Sequence, residues 1–397
     1  MKWTSVIIEG NAVEEAVVLA SARIQAELEG QTPDLAIVFA SPLLGNLDAL
    51  PDMIANHLAP RHWLGCCGAG IIGGGEEVEH SPALSITAAL LPGVDPLPFH
   101  LENDNLSSFD RDQQAWSAYL GLDPATPAPM LLLADPFSFS AEYALRLLDS
   151  VFPDSPKIGG LVSGGMRPGS HLLWVDGQTH RFGLAGLALP GAIRMETVVA
   201  QGCRPVGTPM FITRHRDNTI LELDGRPPDV VLREMIEALD ERDRSLMQRA
   251  LFLGLAMAPA RDRYTTGDFL IRNLIHLDQD TGALGVAAHP DPYQVVQFHV
   301  RDADAAREEL ATLLNHCRIH QTAPPAGALL FSCLGRGQDL FDRPSHDSQL
   351  FQAAVGAGEP IPLGGFFCNG EIGPVRGRTF LHGFTSSFGL FRPLEAN

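Results

Sequence analysis

Cysteine is scarce in this sequence. Six thiols in 397 residues (Cys66, Cys67, Cys203, Cys317, Cys333 and Cys368), with no CxxC spacing, exclude a disulfide-stapled scaffold. Positive charge is short as well: 28 Lys plus Arg stand against 47 Asp plus Glu, and the net charge of −19 repels phosphate backbones and anionic lipid alike. Nucleic acid is thereby excluded as a partner. No apolar run reaches the roughly 18 residues of a membrane span, and the longest candidate, beginning at Leu251, is too short. Glu9, Glu14 and Glu15 interrupt the amino-terminal apolar stretch, so no signal peptide is read and a soluble, cytoplasmic protein without membrane insertion is expected. There is no HExxH and no GxGxxG after a first strand, hence no cofactor or metal motif. His316 and His320, with Cys317 beside them, are spaced for one helix face, but no further ligand pair accompanies them and basic groups suit a helix end anyway.

What the sequence does have is repetition. Leu35 to Ala40 is an apolar run, followed by helical spacing from Asn46 to Leu58 and then by the glycine-marked stretch Leu64 to Gly73. Met130 to Ala134, Ser140 to Phe152 and Ile158 to Gly165 repeat the pattern, and Ala328 to Ser332, Ser348 to Val355 and Leu363 to Gly373 repeat it again. Gly65, Gly70 and Gly73 share their spacing with Gly365, Gly370 and Gly373, while Gly160 and Gly165 reproduce the first interval. Further strand-like material follows each copy, at Ala83 to Leu90, at His171 to Val175 with Gly183 to Leu189, and at Thr379 to Phe391. These features predict a mixed α/β chain of internally repeated β-α-β-β units forming two associated sheet-plus-helix halves.

Between the second and third copies the pattern changes. Asp217-Asn218 predicts a hairpin turn, Pro227-Pro228-Asp229 opens an amphipathic helix to about Asp240, and Asp280-Thr281-Gly282 predicts a second hairpin. A strand is read at Gln294 to Val300 and a helix at Asp302 to Leu314. The boundary is placed near residue 195, giving regions 1–195 and 196–397.

Several of these segments carry a family resemblance. Val38-Phe39-Ala40-Ser41 with Leu64-Gly65-Cys66-Cys67-Gly68 resembles the first region of the FIST sensory family. The second half resembles the family's C-terminal region more strongly, through Gln201 to Pro205, Gly267 to Asn273, Gln297 to Asp302, Gly364 to Pro374 and His382 to Thr385. The family includes the C-terminal part of a eukaryotic F-box protein. The resemblance implies a sensory or signal-transduction role in which an amino acid or related metabolite is bound and reported to a protein partner. Leu334, where a polar residue is expected, and Cys67, where serine is expected, depart from the pattern and bear on ligand choice. No kinase, cyclase or transmembrane segment is legible, so the output is expected to pass through a partner.

The residues themselves leave alternatives. Glycine runs after a strand free backbone N–H groups for an anion, or simply permit close packing. In the third copy Cys368, Asn369 and Glu371 add a thiol, an amide and a carboxylate, with Asn369 and Glu371 expected on one face of an extended segment. Ser332 to Gln338 follows the third-copy strand, and Arg336 beside Gly337 could grip a ligand carboxylate. The ligand-binding set is therefore Ser332, Arg336, Gly337, Cys368, Asn369, Glu371 and His382, with Ser41, Gly65, Cys66, Gly68, Gly70, Arg272 and Asn273 as secondary candidates. The competing reading is a hydrolase or transferase using Cys368, Glu371 and His382 (with His346 an alternative base), and a third is a non-catalytic scaffold. Exposed strand edges also leave room for a homodimer.

Overall fold

The computed structural model describes all residues except 259–260, 262, 266, 320–322, 357 and 395–397. The chain divides into two compact units, the first comprising 1–199, 310–381 and 385–397, the second 200–309 and 382–384. The break at 199 lies close to the boundary expected near 195, but the chain leaves the second unit within the helix Ala303–Ile319. All three copies of the repeat consequently belong to the first unit, instead of the third standing with the second half.

The first unit is built from those copies. Leu35–Ala40 pairs in parallel with His62–Cys67 across helix Leu50–His57, and Met130–Ala134 with Lys157–Leu161 across helix Ala141–Val151. Gly327–Cys333 pairs in the same way with Leu363–Cys368 across helix His346–Val355. An antiparallel strand flanks each pair: Ala83–Leu90, Leu184–Ala188 and Thr385–Pro393 respectively. The leading strands are unbroken apolar runs because both their faces are covered. In the middle helix Ala141, Ala144, Leu145, Leu148 and Val151 are buried, the i, i+3, i+4, i+7 stripe of a helix lying on a sheet.

Strand register sets the equivalence of the copies. Val38 lies opposite Gly65, Leu132 opposite Gly159 and Leu330 opposite Gly365. A Cβ at these glycines would stand 2.1, 1.8 and 1.8 Å from the opposing carbonyl oxygen, so no larger residue fits. The middle copy is thus aligned through Gly159 and Gly164, one residue from the Gly160 and Gly165 suggested by spacing alone. Gly160 does a different job, since its Cβ would lie 2.4 Å from the Cys368 sulfur.

After each glycine run the chain crosses into another copy's sheet. Ile71–Gly73 pairs with Leu363–Cys368, Glu371–Val375 with Lys157–Leu161, and Leu173–Val175 with His62–Cys67. The exchange closes a ring of copies, first to third, third to second and second to first, which gives three six-stranded sheets. No copy completes its sheet alone. Phe39 of the first copy packs against Phe331 and Phe366 of the third at ring distances of 6.2 and 5.0 Å.

The second unit is a closed barrel of the strands Cys203–Arg216, Thr219–Leu223, Leu284–Val286, Phe269–Leu277, Leu251–Ala256 and Val295–Arg301, in that order. Both predicted hairpins are present, with Arg216 opposite Thr219 and Leu277 opposite Leu284. The helix expected to run to Asp240 ends at Ala238, and a second helix, Glu241–Arg249, begins where the Asp240 carboxylate accepts a hydrogen bond from the Asp243 N–H at 2.8 Å. Among the described residues no helix is long and apolar enough to cross a membrane.

Candidate functional site

At the carboxyl end of strand Gly327–Cys333 the chain turns inward. Arg336 is 1% exposed, and its Nε and Nη2 donate to the two oxygens of Asp347 at 2.8 and 3.1 Å. Asp347 sits in the first turn of helix His346–Val355, where the helix dipole favours a carboxylate. Its oxygens also contact His346 Nδ1 at 2.9 Å and accept from the Ser386 hydroxyl. Phe341 stacks on the His346 ring at 3.5 Å and lies 5.3 Å from the Arg336 guanidinium. The intervening Gly337 has φ +70°, and a Cβ there would fall 2.3 Å from Glu79 Oε2, while Glu79 Oε1 accepts from the Gln338 N–H at 2.8 Å. Glycine is needed at this point for both reasons.

Two more carboxyls complete the cluster. Glu77, on the hairpin that the first copy inserts into the third sheet, accepts from the Ser348 N–H at 2.7 Å, and its own N–H donates to Ser345 Oγ at 3.0 Å. Glu371 accepts from the Thr385 N–H at 3.0 Å. Burial pushes Glu77 up to about 8, helped by the neighbouring charge of Asp347. Burial likewise pushes Glu371 up to about 8, against the pull of the Thr385 N–H, Arg336 and the Cys333 thiol. Burial acts in the same direction on Asp347, but Arg336, His346 and Ser386 outweigh it and hold that carboxyl far below the usual carboxylate range. Near neutral pH the cluster therefore holds one ion pair and two protonated carboxyls. Each of those two carboxyls keeps one buried oxygen, Glu77 Oε2 and Glu371 Oε1, without a hydrogen-bond partner.

A groove of about 490 Å³ opens beside this cluster, between the hairpin and the helix. It is lined by Gly74 to Val78 from the hairpin, by Ser345, Gln349 and Gln352 from the helix and the residue before it, and by Glu9, Pro344 and Pro360. Its size falls in the range of small-molecule sites.

The residues singled out from sequence are distributed unevenly around it. Ser332, Arg336, Gly337, Cys368 and Glu371 lie in the third copy, all buried. The fork of Arg336 is held by Asp347 and does not stand open for a ligand carboxylate. Asn369 and Glu371 do not share a face: the chain turns between Leu363–Cys368 and Glu371–Val375, which belong to different sheets. Asn369 is exposed and donates to the Val162 carbonyl at 2.8 Å, while Glu371 is fully buried. Burial pushes the Cys368 thiol well above its usual value, aided by Glu371. His382 is buried and falls in the second unit. Of the secondary candidates, Ser41 caps the turn at Pro42–Leu44, Cys66 is buried, and Gly68 and Gly70 face the Phe366 and Phe367 rings. Arg272 and Asn273 are successive residues of a barrel strand and so point to opposite faces, which excludes one pocket for both. His320 lies outside the described residues, and its neighbour Cys317 is buried.

Glu77, Asp347 and Ser386 are the residues that the motifs missed. Two signals existed, the acidic run Glu76-Glu77-Val78-Glu79, which begins in the strand Glu76–Val78, and the polar run Ser345-His346-Asp347-Ser348 opening a helix, but nothing local links them.

Comparison with known proteins covers most of the chain. The FIST N domain model matches residues 34–226 and the FIST C domain model residues 230–374. The uncharacterized protein Rv0628c of Mycobacterium tuberculosis is 37% identical over 382 residues, covering 96% of each chain. The uncharacterized protein Mb0898c of Mycobacterium bovis is 34% identical over 380 residues, covering 95% of each. Among solved structures, the cyanuric acid hydrolase from A. caulinodans aligns with 99% of this chain and all of that one at 9% identity and a TM-score of 0.35, too slight a likeness to carry fold or chemistry.

Proposed function

The chain belongs to the FIST family, and from that membership we propose that it is a sensory protein that binds a small amine-bearing metabolite, an amino acid or a relative of one, at the third-copy groove. The observation that carries this reading is Glu77, which neighbours the buried Arg336–Asp347 pair and lines a groove of small-molecule size. Buried carboxyls with an unpartnered oxygen cost stability, and a polar ligand that satisfies them recovers part of that cost on binding.

The output passes to a protein partner. Occupancy alters the contacts of Glu77 with Ser345 and Ser348, which lie at the start of helix His346–Val355, and so biases that helix and the surface it presents. The catalytic alternative has less support, because Cys368 is fully buried with a raised thiol and His346 is engaged by Asp347.

The test is native mass spectrometry of protein purified without added ligand, followed by calorimetric titration with amino acids and amines. A bound small molecule displaced by a titrated amine or amino acid is the expected result. Turnover of an ester, amide or thioester, abolished by Cys368→Ser alone, would replace this reading with the enzymatic one.

A further inference from the structure

The groove's lining is chemically one-sided. Glu9, Glu76 and Glu77 contribute carboxyls, Ser345 and Gln349 neutral polar groups, and among the described residues no Lys, Arg or His lines it. The guanidinium of the neighbouring cluster, that of Arg336, donates to Asp347 through two hydrogen bonds. Gln352 is committed too, its amide exchanging two hydrogen bonds with Ile361 at 2.7 and 2.9 Å, which makes it a fixed wall. Val78, Pro344 and Pro360 supply apolar surface.

Glu77 is the second, independent observation. It is 6% exposed, its Oε1 is pinned by the Ser348 N–H, and its Oε2 is buried without a partner. Once ionised, a carboxyl held through one oxygen and unpartnered at the other, on a residue that lines the groove, is the complement of an ammonium donor. A ligand carboxylate would bring like charge to the Glu9 and Glu76 side of the groove and oppose the ionisation of Glu77.

We propose that the groove selects a small aliphatic amine, which enters with its ammonium toward Glu77 and its methylene stem against Val78, Pro344 and Pro360, and that it rejects the corresponding amino acid carrying a free carboxylate. This rests on the groove being the ligand site, and it narrows the ligand to one side of the amino-acid/amine boundary.

Proton release is a readout that a structural role would not produce. The groups acting on Glu77 are Asp347 and Glu79, with Glu9 and Glu76 also lining the groove and Arg336 and His346 bound to Asp347. With Glu77 at about 8, an ammonium that binds its ionised form drives off close to one proton at pH 7. Affinity then rises about tenfold from pH 6 to pH 7 and levels off above pH 8.

The experiment titrates the full-length chain with matched pairs, cadaverine against lysine, putrescine against ornithine and agmatine against arginine, in two buffers of different ionisation enthalpy. We expect at least one amine to bind tenfold or more tightly than its parent amino acid, with a buffer-dependent heat. Glu77→Gln, which keeps the Ser348 contact, should weaken it at least tenfold and abolish proton release. Should that variant not fold, the exposed Glu9→Gln and Glu76→Gln variants, each expected to weaken binding two- to threefold, take its place together with the proton count. Amino acids binding as tightly as their amines overturn the proposal and leave the sensory reading standing. Amine binding that is indifferent to these variants and releases no proton also overturns it. Silence from every amine overturns it too, and silence from both arms with no co-purified ligand overturns the sensory reading as well.

Discussion

Replacing Asp347 with asparagine keeps the shape of the side chain and removes the charge that holds both Nε and Nη2 of Arg336, a residue only 1% exposed. Breaking a buried pair in this way costs about 3–5 kcal/mol, because the orphaned charge keeps its desolvation penalty. Here the loss is tempered by two neighbouring carboxyls. Ionising a group at about 8 when the solution is at pH 7 costs about 1.4 kcal/mol, so Glu77 or Glu371 can take over as counter-ion at that cost plus poorer geometry. We expect a net destabilisation of about 2–4 kcal/mol at pH 7, shrinking toward pH 9 as those carboxyls ionise without help. Urea unfolding followed by tryptophan fluorescence suits the measurement. All four tryptophans, Trp3, Trp63, Trp116 and Trp174, are buried in the first unit and report its unfolding alone. A loss below about 1 kcal/mol at pH 7, or one that grows with pH, would refute the picture of a single ion pair backed by two neutral acids.

Other consequences are open to direct measurement. Glu77 and Glu371 are raised in the native state, so their contribution is full below the unfolded value near 4.5 and is lost as pH rises through about 8. Unfolding free energy should fall across that window by about 1.4 kcal/mol per pH unit for each, and Glu371→Gln should flatten the slope by one such share. Gly159→Ala and Gly365→Ala should each cost about 2–3 kcal/mol or more, since the new Cβ lands 1.8 Å from a carbonyl oxygen, whereas Gly10→Ala, with nothing within 4 Å, should cost under about 0.5. Equal costs at all three sites would remove the register argument. All six thiols are buried, so Ellman's reagent should find them only on the unfolding timescale, and a fast-reacting thiol in the native protein would contradict the burial of Cys368.

Much of the first unit was legible in the sequence because its strands are covered on both faces. Leu35–Ala40, Met130–Ala134 and Gly327–Cys333 read as unbroken apolar runs, and the helices after them show the helical stripe. The hairpins at Asp217-Asn218 and Asp280-Thr281-Gly282 were legible for a different reason, since turns are set by local backbone sterics. The equivalence of Gly159 with Gly65 and Gly365 was less so. Two adjacent glycines satisfy one spacing, and only pairing against Leu132 separates the one beneath a carbonyl from the one beside Cys368.

The sequence by itself determined the three-fold repetition and the membership of the FIST family, because these depend on spacing and residue type along the chain. It also placed Arg336 and Glu371 among the residues of interest, since charge amid glycine and aromatic residues is locally conspicuous. The site itself was decided by the tertiary structure. Glu77 reaches Ser345 and Ser348 across more than 260 positions only because the first copy's hairpin is inserted into the third copy's sheet. That exchange also sets which charges meet: Arg336 pairs with Asp347, and the carboxyls left in the low-dielectric interior keep their protons. Strand exchange between copies has no signature in any one segment, because each inserted strand satisfies the same local pattern whichever sheet it joins.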